Sequence, residues 1–147
     1  MTQRPEALLR RYDAWERTTD NLDFQWQARL LQSHWREEQG LEAGEYRGKI
    51  RGARLTMPGA EEALWNYLTP NIREVVRREV EDPVRAKGKL YGRPRIYDNL
   101  LSSQPLCFNL FGELSLDLDL ATEALSDMSG GRIARHVITT FRPSLVP

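Results

Sequence analysis

Two short segments of the sequence concentrate positive charge and contain no acidic residue. Residues 85–95 carry five basic side chains around Tyr91, and residues 47–54 carry four basic side chains with glycines among them. Lys and Arg neutralise phosphates, glycine lets a backbone approach a phosphate closely, and a tyrosine ring can stack on a base. The pattern predicts a nucleic-acid-binding surface; the alternative is two solvated loops whose charge keeps the protein soluble. The nucleic-acid-binding candidates are Arg47, Lys49, Arg51, Arg85, Lys87, Lys89, Tyr91, Arg93 and Arg95.

The acidic counterpart is a run of five carboxylates between Glu113 and Asp127, with no Lys or Arg among them. On a strand, Asp117 and Asp119 would share a face and could hold Mg²⁺, whereas on a helix they lie about 200° apart. The length of the segment and its Ala-Thr-Glu-Ala continuation favour a helix. We therefore predict a solvated acidic helix face and no metal site.

The single cysteine offers no further site. Cys107 lies between Leu106 and Phe108, which predicts a buried, inert thiol. One cysteine cannot form an intrachain disulfide, and this favours a cytoplasmic protein. No Cys/His spacing fits zinc, and no apolar run approaches the length of a membrane span.

The totals describe one globular chain of ordinary composition. It has 147 residues, of which 40% are hydrophobic and 29% are charged, so it can bury a core. Lys plus Arg equals Asp plus Glu at 21 each, so the net charge alone says nothing about nucleic acid.

Hydrophobic periodicity predicts a mainly α-helical chain. A helical hairpin is expected within residues 1–43, and residues 44–147 are expected to form the rest of a single compact unit. Within the second part, residues 133–141 are the best strand candidate, because they are rich in β-branched and aromatic residues.

Glycine and proline divide the middle of the chain. Residues 44–59 hold four glycines and Pro58, so they are expected to be irregular. The spacing of apolar residues predicts a short helix over 60–68 and a longer one over 70–81. Residues 84–95 are expected to be a loop.

Four stretches of the sequence together resemble one protein family. The chain is similar to the N-terminal half of a bacterial group of PD-(D/E)XK nuclease-like proteins, often labelled restriction endonucleases, over about residues 40–137. The segment Ser102–Gly112 is the most specific part. The stretches that carry the resemblance are Tyr46–Gly52, Leu64–Leu68, Gly92–Pro105 and Cys107–Gly112.

The resemblance implies a Mg²⁺-dependent enzyme that cuts DNA. Members have a mixed sheet flanked by helices, in which one strand supplies an Asp and the next an acid-x-Lys motif. The carboxylates hold Mg²⁺ for attack by water on the phosphodiester, and the Lys stabilises the charge that develops. Because a helix before the first core strand often lends a polar residue, Ser103, Gln104 and Asn109 are candidates for the edge of the active site.

The sequence departs from the family at the catalytic motif. Two residues before each of its lysines, Lys49, Lys87 and Lys89, stands Arg47, Arg85 or Lys87 rather than an acid. We therefore expect residues 44–147 to be the N-terminal part of a PD-(D/E)XK nuclease-like domain, in which helices lead into the first strand of a truncated core. The chain is expected to be inactive alone, with DNA and either a missing C-terminal half or a second subunit as partners. No cofactor is expected in this chain. The alternative is a non-catalytic helical module that binds nucleic acid or another protein.

Overall fold

The structure is a computed structural model that describes residues 4–16 and 23–131. Helices dominate it, as predicted, and a small two-stranded antiparallel sheet accompanies them. A π-helical turn, Arg77–Glu81, continues the fourth helix. The helices are α1 (Glu6–Arg11), α2 (Asp23–Glu38), α3 (Gly59–Ala63), α4 (Pro70–Val76), α5 (Pro83–Ala86), α6 (Arg95–Asp98), α7 (Ser103–Phe111) and α8 (Leu118–Met128), and the strands are β1 (Ala43–Tyr46) and β2 (Lys49–Leu55).

The strands β1 and β2 form a hairpin where an irregular segment was expected, so the prediction for residues 44–59 was wrong. Tyr46 is opposite Lys49, and a bulge lies between Ala43 and Gly44. Glycine here serves packing: a Cβ on Gly44 would lie 2.2 Å from the carbonyl oxygen of Leu55. Glycine in a sequence usually argues against a strand, but a strand also needs glycine where another backbone approaches it closely.

Helix α2 packs on β2 through Gly52. A Cβ at this position would lie 1.9 Å from the carbonyl oxygen of Tyr12 and 2.5 Å from the Ser33 hydroxyl. The Gly52 amide donates to the Asp13 carbonyl at 2.9 Å, and the buried Arg36 Nε donates to the Gly52 carbonyl at 2.9 Å. The N-terminal segment, α2 and the hairpin are therefore fastened together at one residue of β2.

The main hydrophobic core lies between β2, α3, α4 and α6, and Tyr67 stands within it. The Tyr67 hydroxyl donates to the Ile96 carbonyl at 2.8 Å, so its polar end is satisfied. Burial raises the pKa of this phenol above its usual range. The helix predicted over 70–81 is confirmed, with Thr69 as its N-cap: the Thr69 hydroxyl accepts from the Ile72 amide.

Two predicted boundaries shift. The helix expected over 60–68 ends after Ala63, because Leu64 adopts a left-handed conformation with φ of 52°. The expected loop over 84–95 begins with the short helix α5, whose N-cap Asp82 accepts from two backbone amides. Both differences arise at helix ends, where local caps rather than periodicity decide the boundary.

Helix α7 has one packed face and one exposed face, and both carry apolar side chains. Pro105 is buried, and Phe108 packs against the core. Leu106 and Leu110 lie on the other face and are 55% and 57% exposed. The prediction that Cys107 is buried was wrong, because the thiol lies on this exposed face. Its apolar neighbours in sequence indicate burial, but on a helix they point in different directions.

The acidic run contains a helix, as predicted, and α8 occupies Leu118–Met128. Asp117 is its N-cap, with a carboxylate that accepts from the amides of Asp119 and Leu120. The strand expected over 133–141 lies outside the described residues. In the part of the chain that the structure describes, no helix has the length and apolar character needed to cross a membrane.

Candidate nucleic-acid interface

The turn of the β-hairpin presents cations beside an aromatic ring. Arg47 and Gly48 have φ of 54° and 70°, the pair of positive values that a tight two-residue hairpin turn requires. Tyr46 precedes the turn and is 41% exposed. The Arg47 guanidinium lies 5.2 Å from the centre of the Tyr46 ring, and Lys49 pairs with Tyr46 across the two strands. The hairpin thus offers two cations and a ring that a nucleotide could reach.

Arg51, also predicted to bind nucleic acid, is turned toward the protein. Its Nη1 lies 3.1 Å from the Glu16 carboxylate, and about a quarter of its side chain is exposed. A phosphate would therefore have to compete with Glu16 for this guanidinium.

In the second basic segment, Arg85 and Lys89 are both paired with Glu79. The distances from the Glu79 carboxylate are 3.1 Å to Arg85 and 2.8 Å to Lys89, and Arg78 adds a third contact at 3.0 Å. Burial disfavours ionisation of Glu79, but hydrogen bonds from Lys89 and Arg78 outweigh it and lower the pKa of this carboxyl. The hydrogen bond with Glu79 raises the pKa of Lys89. This part of the segment is an internal ion-pair network.

Tyr91 and Arg93 contact the core side of the molecule. The Tyr91 ring lies 6.3 Å from that of Phe108, and burial raises the pKa of its hydroxyl. Arg93 donates to the Val80 carbonyl at 3.2 Å and lies 3.6 Å from Glu61. These contacts hold the loop against the helices. Because 53% of the Arg93 side chain is exposed, a phosphate could reach its guanidinium but would compete with Glu61.

The remaining cations of the predicted set are free of ion pairs with other described residues. They are Arg47, Lys49, Lys87 and Arg95. The sequence gives no reason to distinguish the nine candidates. The structure separates them into four accessible cations and five residues that already contact other protein groups.

Gln104 and Asn109, candidates for an active-site edge, hold loops together. Gln104 Oε1 accepts from the Gly92 amide at 3.0 Å, and its Nε2 donates to the Leu90 carbonyl at 2.7 Å. Asn109 Oδ1 accepts from the Leu68 amide at 3.1 Å, and its Nδ2 donates to the Asn66 carbonyl at 2.9 Å. Each amide thus uses both ends on backbone that would otherwise be unsatisfied. Ser103, by contrast, is exposed.

Sequence reasoning missed the pair formed by Arg54 and Asp98. Arg54 Nη1 donates to both carboxylate oxygens of Asp98, at 2.9 and 2.7 Å. Arg54 also bridges Asn99 through the backbone, which brings β2 beside the end of α6. The two residues are 44 positions apart, and no local pattern in the sequence signals their contact.

The described residues do not offer the carboxylate cage that Mg²⁺ would need. Within residues 4–16 and 23–131, no three His, Cys, Asp or Glu side chains are grouped so that they could hold a metal ion. Glu113, the first acid of the acidic run, accepts hydrogen bonds from Thr69 and Asn71, and these lower its pKa.

Comparison with known proteins agrees with the resemblance seen in the sequence. A family model described as the PD-(D/E)XK nuclease superfamily matches residues 18–144. No curated protein and no solved structure matches the chain. The match extends over most of the 147 residues, including the hairpin, α7 and α8. The chain therefore belongs to the PD-(D/E)XK nuclease superfamily.

Proposed function

We propose that this chain is the DNA-binding part of a magnesium-dependent nuclease and that it does not hydrolyse DNA by itself. The observation that carries the proposal is the family match over residues 18–144. An enzyme that cuts phosphodiesters must first hold the strand, and a large share of that binding energy comes from contacts with phosphates.

The accessible cations supply candidate contacts. Arg47 lies in the hairpin turn beside the ring of Tyr46, and Lys49 follows the turn and pairs with Tyr46 across the ladder. A cation that is already paired must give up its partner to bind a phosphate, whereas these two exchange only water. We therefore expect the hairpin to contribute more to DNA affinity than the paired residues Arg85 and Lys89.

The catalytic groups are proposed to come from another polypeptide. Mg²⁺-assisted hydrolysis needs carboxylates that hold the ion. None of the three lysines here follows an acid at the required spacing. A second polypeptide that binds this chain would supply these groups. The exposed thiol of Cys107 is compatible with the cytoplasmic location expected for such an enzyme.

The proposal is tested by measuring binding and cleavage separately. Fluorescence anisotropy with a short DNA duplex over a salt series should give affinity that falls as salt rises. The double variant Arg47→Gln/Lys49→Gln should weaken binding and reduce the salt slope by about 0.9 for each phosphate that is no longer neutralised. Arg77→Gln is the matched control, because Arg77 is exposed and only loosely paired, at 4.0 Å from Glu74.

Cleavage of plasmid DNA with and without Mg²⁺ tests the second half of the proposal. We expect no Mg²⁺-dependent cleavage by the purified chain. Cleavage that copurifies with the protein through several columns would show that the chain is itself an enzyme. Affinity that is absent even at low salt would refute the DNA-binding role.

A second candidate function, protein interaction, is favoured by the outer face of α7. Leu106 and Leu110 are more than half exposed there, and Phe111 beside them is 50% exposed. Apolar side chains that are exposed together on one helix face, rather than singly, are typical of an interaction surface. We assign this face to contact with another polypeptide, in the simplest case a second copy of this chain.

Sedimentation over a concentration series tests this second function. The wild-type chain should shift from monomer to a larger species as its concentration rises, and Leu110→Lys should remain monomeric. Leu31→Lys is the control, because Leu31 is also well exposed but lies on α2. A wild-type monomer at every concentration would exclude self-association through α7.

A further inference from the structure

A cleft of about 330 Å³, here named the tryptophan cleft, is bordered by the end of α2, the segment between α3 and α4, and α4 itself. It is larger than the cleft of about 180 Å³ that Arg54 lines beside the β-hairpin. Its volume is within the range of about 300–1,000 Å³ that small-molecule sites occupy. Among the residues that line it are Trp35, Gln39, Leu41, Trp65, Leu68 and Arg73. None of these belongs to the candidate nucleic-acid interface.

Two half-buried indole rings border the tryptophan cleft. Trp35 lies in the last turn of α2, and Trp65 follows α3 and packs against the main core. A Cβ on Gly59 would lie 2.6 Å from the Trp65 ring, so glycine allows the start of α3 to press against this indole and hold it in place. In the part of the chain that the structure describes, neither indole is in contact with another aromatic ring or with a cation. A planar ring that entered the cleft would meet indole surface, on which bases stack.

Arg73 supplies the charge of the tryptophan cleft, and no carboxylate is among the described residues that line it. Its Nε donates to the Tyr67 carbonyl at 3.0 Å, which holds the guanidinium in place. Within residues 4–16 and 23–131, its two terminal nitrogens have no hydrogen-bond or ion-pair partner. A guanidinium that is held at Nε and open at both terminal nitrogens is suited to the oxygens of an anion.

Gln39 adds a neutral polar group to the same cleft. Its residue is exposed, and its side-chain amide makes no hydrogen bond to any described residue. An amide carries a donor and an acceptor side by side, and this pattern matches the edge of a base. The cleft therefore combines aromatic surface, one amide and one cation.

We propose that the tryptophan cleft binds one nucleotide. The base stacks on the indole surface that Trp35 and Trp65 provide, the Gln39 amide bonds the edge of the base, and Arg73 binds the phosphate. A purely apolar ligand would remove water from the guanidinium and the amide without replacing its hydrogen bonds, which is costly. A phosphate without a base would leave the indole surface unused.

A DNA strand and a free mononucleotide share this chemistry. The assignment to a DNA strand rests on the proposed function. A base inside a duplex is stacked between its neighbours and paired, so only an unpaired nucleotide can enter the cleft without the cost of unstacking. We therefore expect single-stranded DNA to occupy the tryptophan cleft more tightly than a duplex of the same sequence.

Nuclear magnetic resonance of the ¹⁵N-labelled chain tests the cleft, because each indole Nε1–H gives its own signal. The signals of Trp35 and Trp65 are followed during titration with deoxyadenosine monophosphate, which should move both saturably. Ribose 5-phosphate has the phosphate but no base, and it should bind at least about tenfold more weakly. The signal of Trp26, which is buried in the smaller core, should not move with either ligand.

Two variants of α2 test the stacking contact. Trp35→Leu keeps apolar surface in the cleft but removes an indole, and should weaken nucleotide binding about tenfold. Phe24→Leu is the matched control, because Phe24 is an exposed aromatic residue on the same helix and does not line the cleft. This control should change the affinity by less than about twofold.

Arg73→Gln tests the phosphate contact. The wild-type chain should bind deoxyadenosine monophosphate about tenfold more tightly than deoxyadenosine, and the variant should lose this preference. If Arg73 acted only by supporting the fold, the variant would weaken both ligands equally and keep the preference. Arg77→Gln lies one helical turn further along the chain, is the matched control and should retain the wild-type preference.

The outcomes separate the tryptophan cleft from the proposed function. Indole signals that move with single-stranded DNA more readily than with duplex support a DNA strand as the source of the nucleotide. Signals that move with the mononucleotide but not with single-stranded DNA would keep the site, identify a free nucleotide as its ligand and refute the DNA strand as its source.

Other results would overturn the inference. Duplex binding that depends on Arg47 and Lys49, with indole signals that no nucleotide moves, would keep the proposed function and refute the cleft. Equal affinity for deoxyadenosine monophosphate and ribose 5-phosphate, or an unchanged affinity in Trp35→Leu, would refute base stacking in the cleft.

Discussion

The buried ion pair between Arg54 and Asp98 makes a quantitative prediction. The Asp98 side chain is 5% exposed, and it contacts the guanidinium at 2.7 Å. Removing one partner of a buried pair costs about 3–5 kcal/mol, because the remaining charge is left without compensation. Arg54 lines a cleft that water can enter, so we expect Asp98→Asn to cost near the lower end, about 3 kcal/mol. Since each 1.4 kcal/mol is tenfold, this raises the unfolding constant by roughly 100-fold.

Urea unfolding followed by tryptophan fluorescence measures this cost, because the chain has four tryptophans. Asp98→Asn, Arg54→Met and the double variant form a cycle, and the double variant should lose less stability than the sum of the two single variants. Glu6→Gln is the control: the Glu6–Arg10 pair is as short, at 2.6 Å, but more than half exposed. Its loss should change stability by less than about 0.5 kcal/mol.

Comparing Asp98→Asn with Glu6→Gln decides whether burial or distance controls the contribution of an ion pair to the free energy of unfolding. If Asp98→Asn and Glu6→Gln cost the same, the reasoning from burial is refuted. A cycle in which the two single costs simply add would show that the side chains do not interact energetically in solution.

Three further predictions concern packing, pH and exposure. Gly52→Ala should destabilise the chain by about 2–3 kcal/mol in urea unfolding, since the new Cβ would overlap backbone. Gly92→Ala should cost little, because its Cβ would meet nothing closer than 3.4 Å. Equal costs for the two variants would contradict the packing described at β2. Pairing lowers the pKa of Glu79, so the stability that this carboxylate contributes is present above the pKa of an unfolded glutamate and is lost as pH falls through the folded pKa. The difference in unfolding free energy between wild type and Glu79→Gln should therefore shrink between about pH 6 and pH 3. A difference that stays constant would argue against the ion pairs with Lys89 and its neighbours. Cys107 should react with a thiol reagent in the native protein without denaturant, and protection until unfolding would show that the outer face of α7 is covered.

Much of the local structure is predictable because it depends on near neighbours. The helix over 70–81 follows from apolar residues at helical spacing after a Thr-Pro start, and Asp117 before an apolar-periodic run signals the start of α8. The main wrong prediction concerns the hairpin, because the number of glycines in residues 44–59 indicates an irregular segment. Only their partners show that Gly44 and Gly52 are required by backbone contact.

The sequence predicts which residue types form the candidate interface, but not which of its cations are free of ion pairs within the protein. The two basic segments are visible in the sequence, whereas the pairing of Arg85 and Lys89 with Glu79 depends on how the chain turns after the π-helical segment. The roles of Gln104 and Asn109 were equally hidden. Asn109, for example, bonds backbone more than 40 residues away.

The amino-acid sequence by itself determined the superfamily, the predominance of helix and the places where positive charge collects, because these depend on residue type and short-range spacing. Tertiary structure alone decided which cations stay accessible, which side of α7 is exposed and that Arg54 meets Asp98 beside a cleft. The physical reason is that hydrogen bonds and ion pairs join side chains through space, and spacing along the chain does not specify which distant residues will meet.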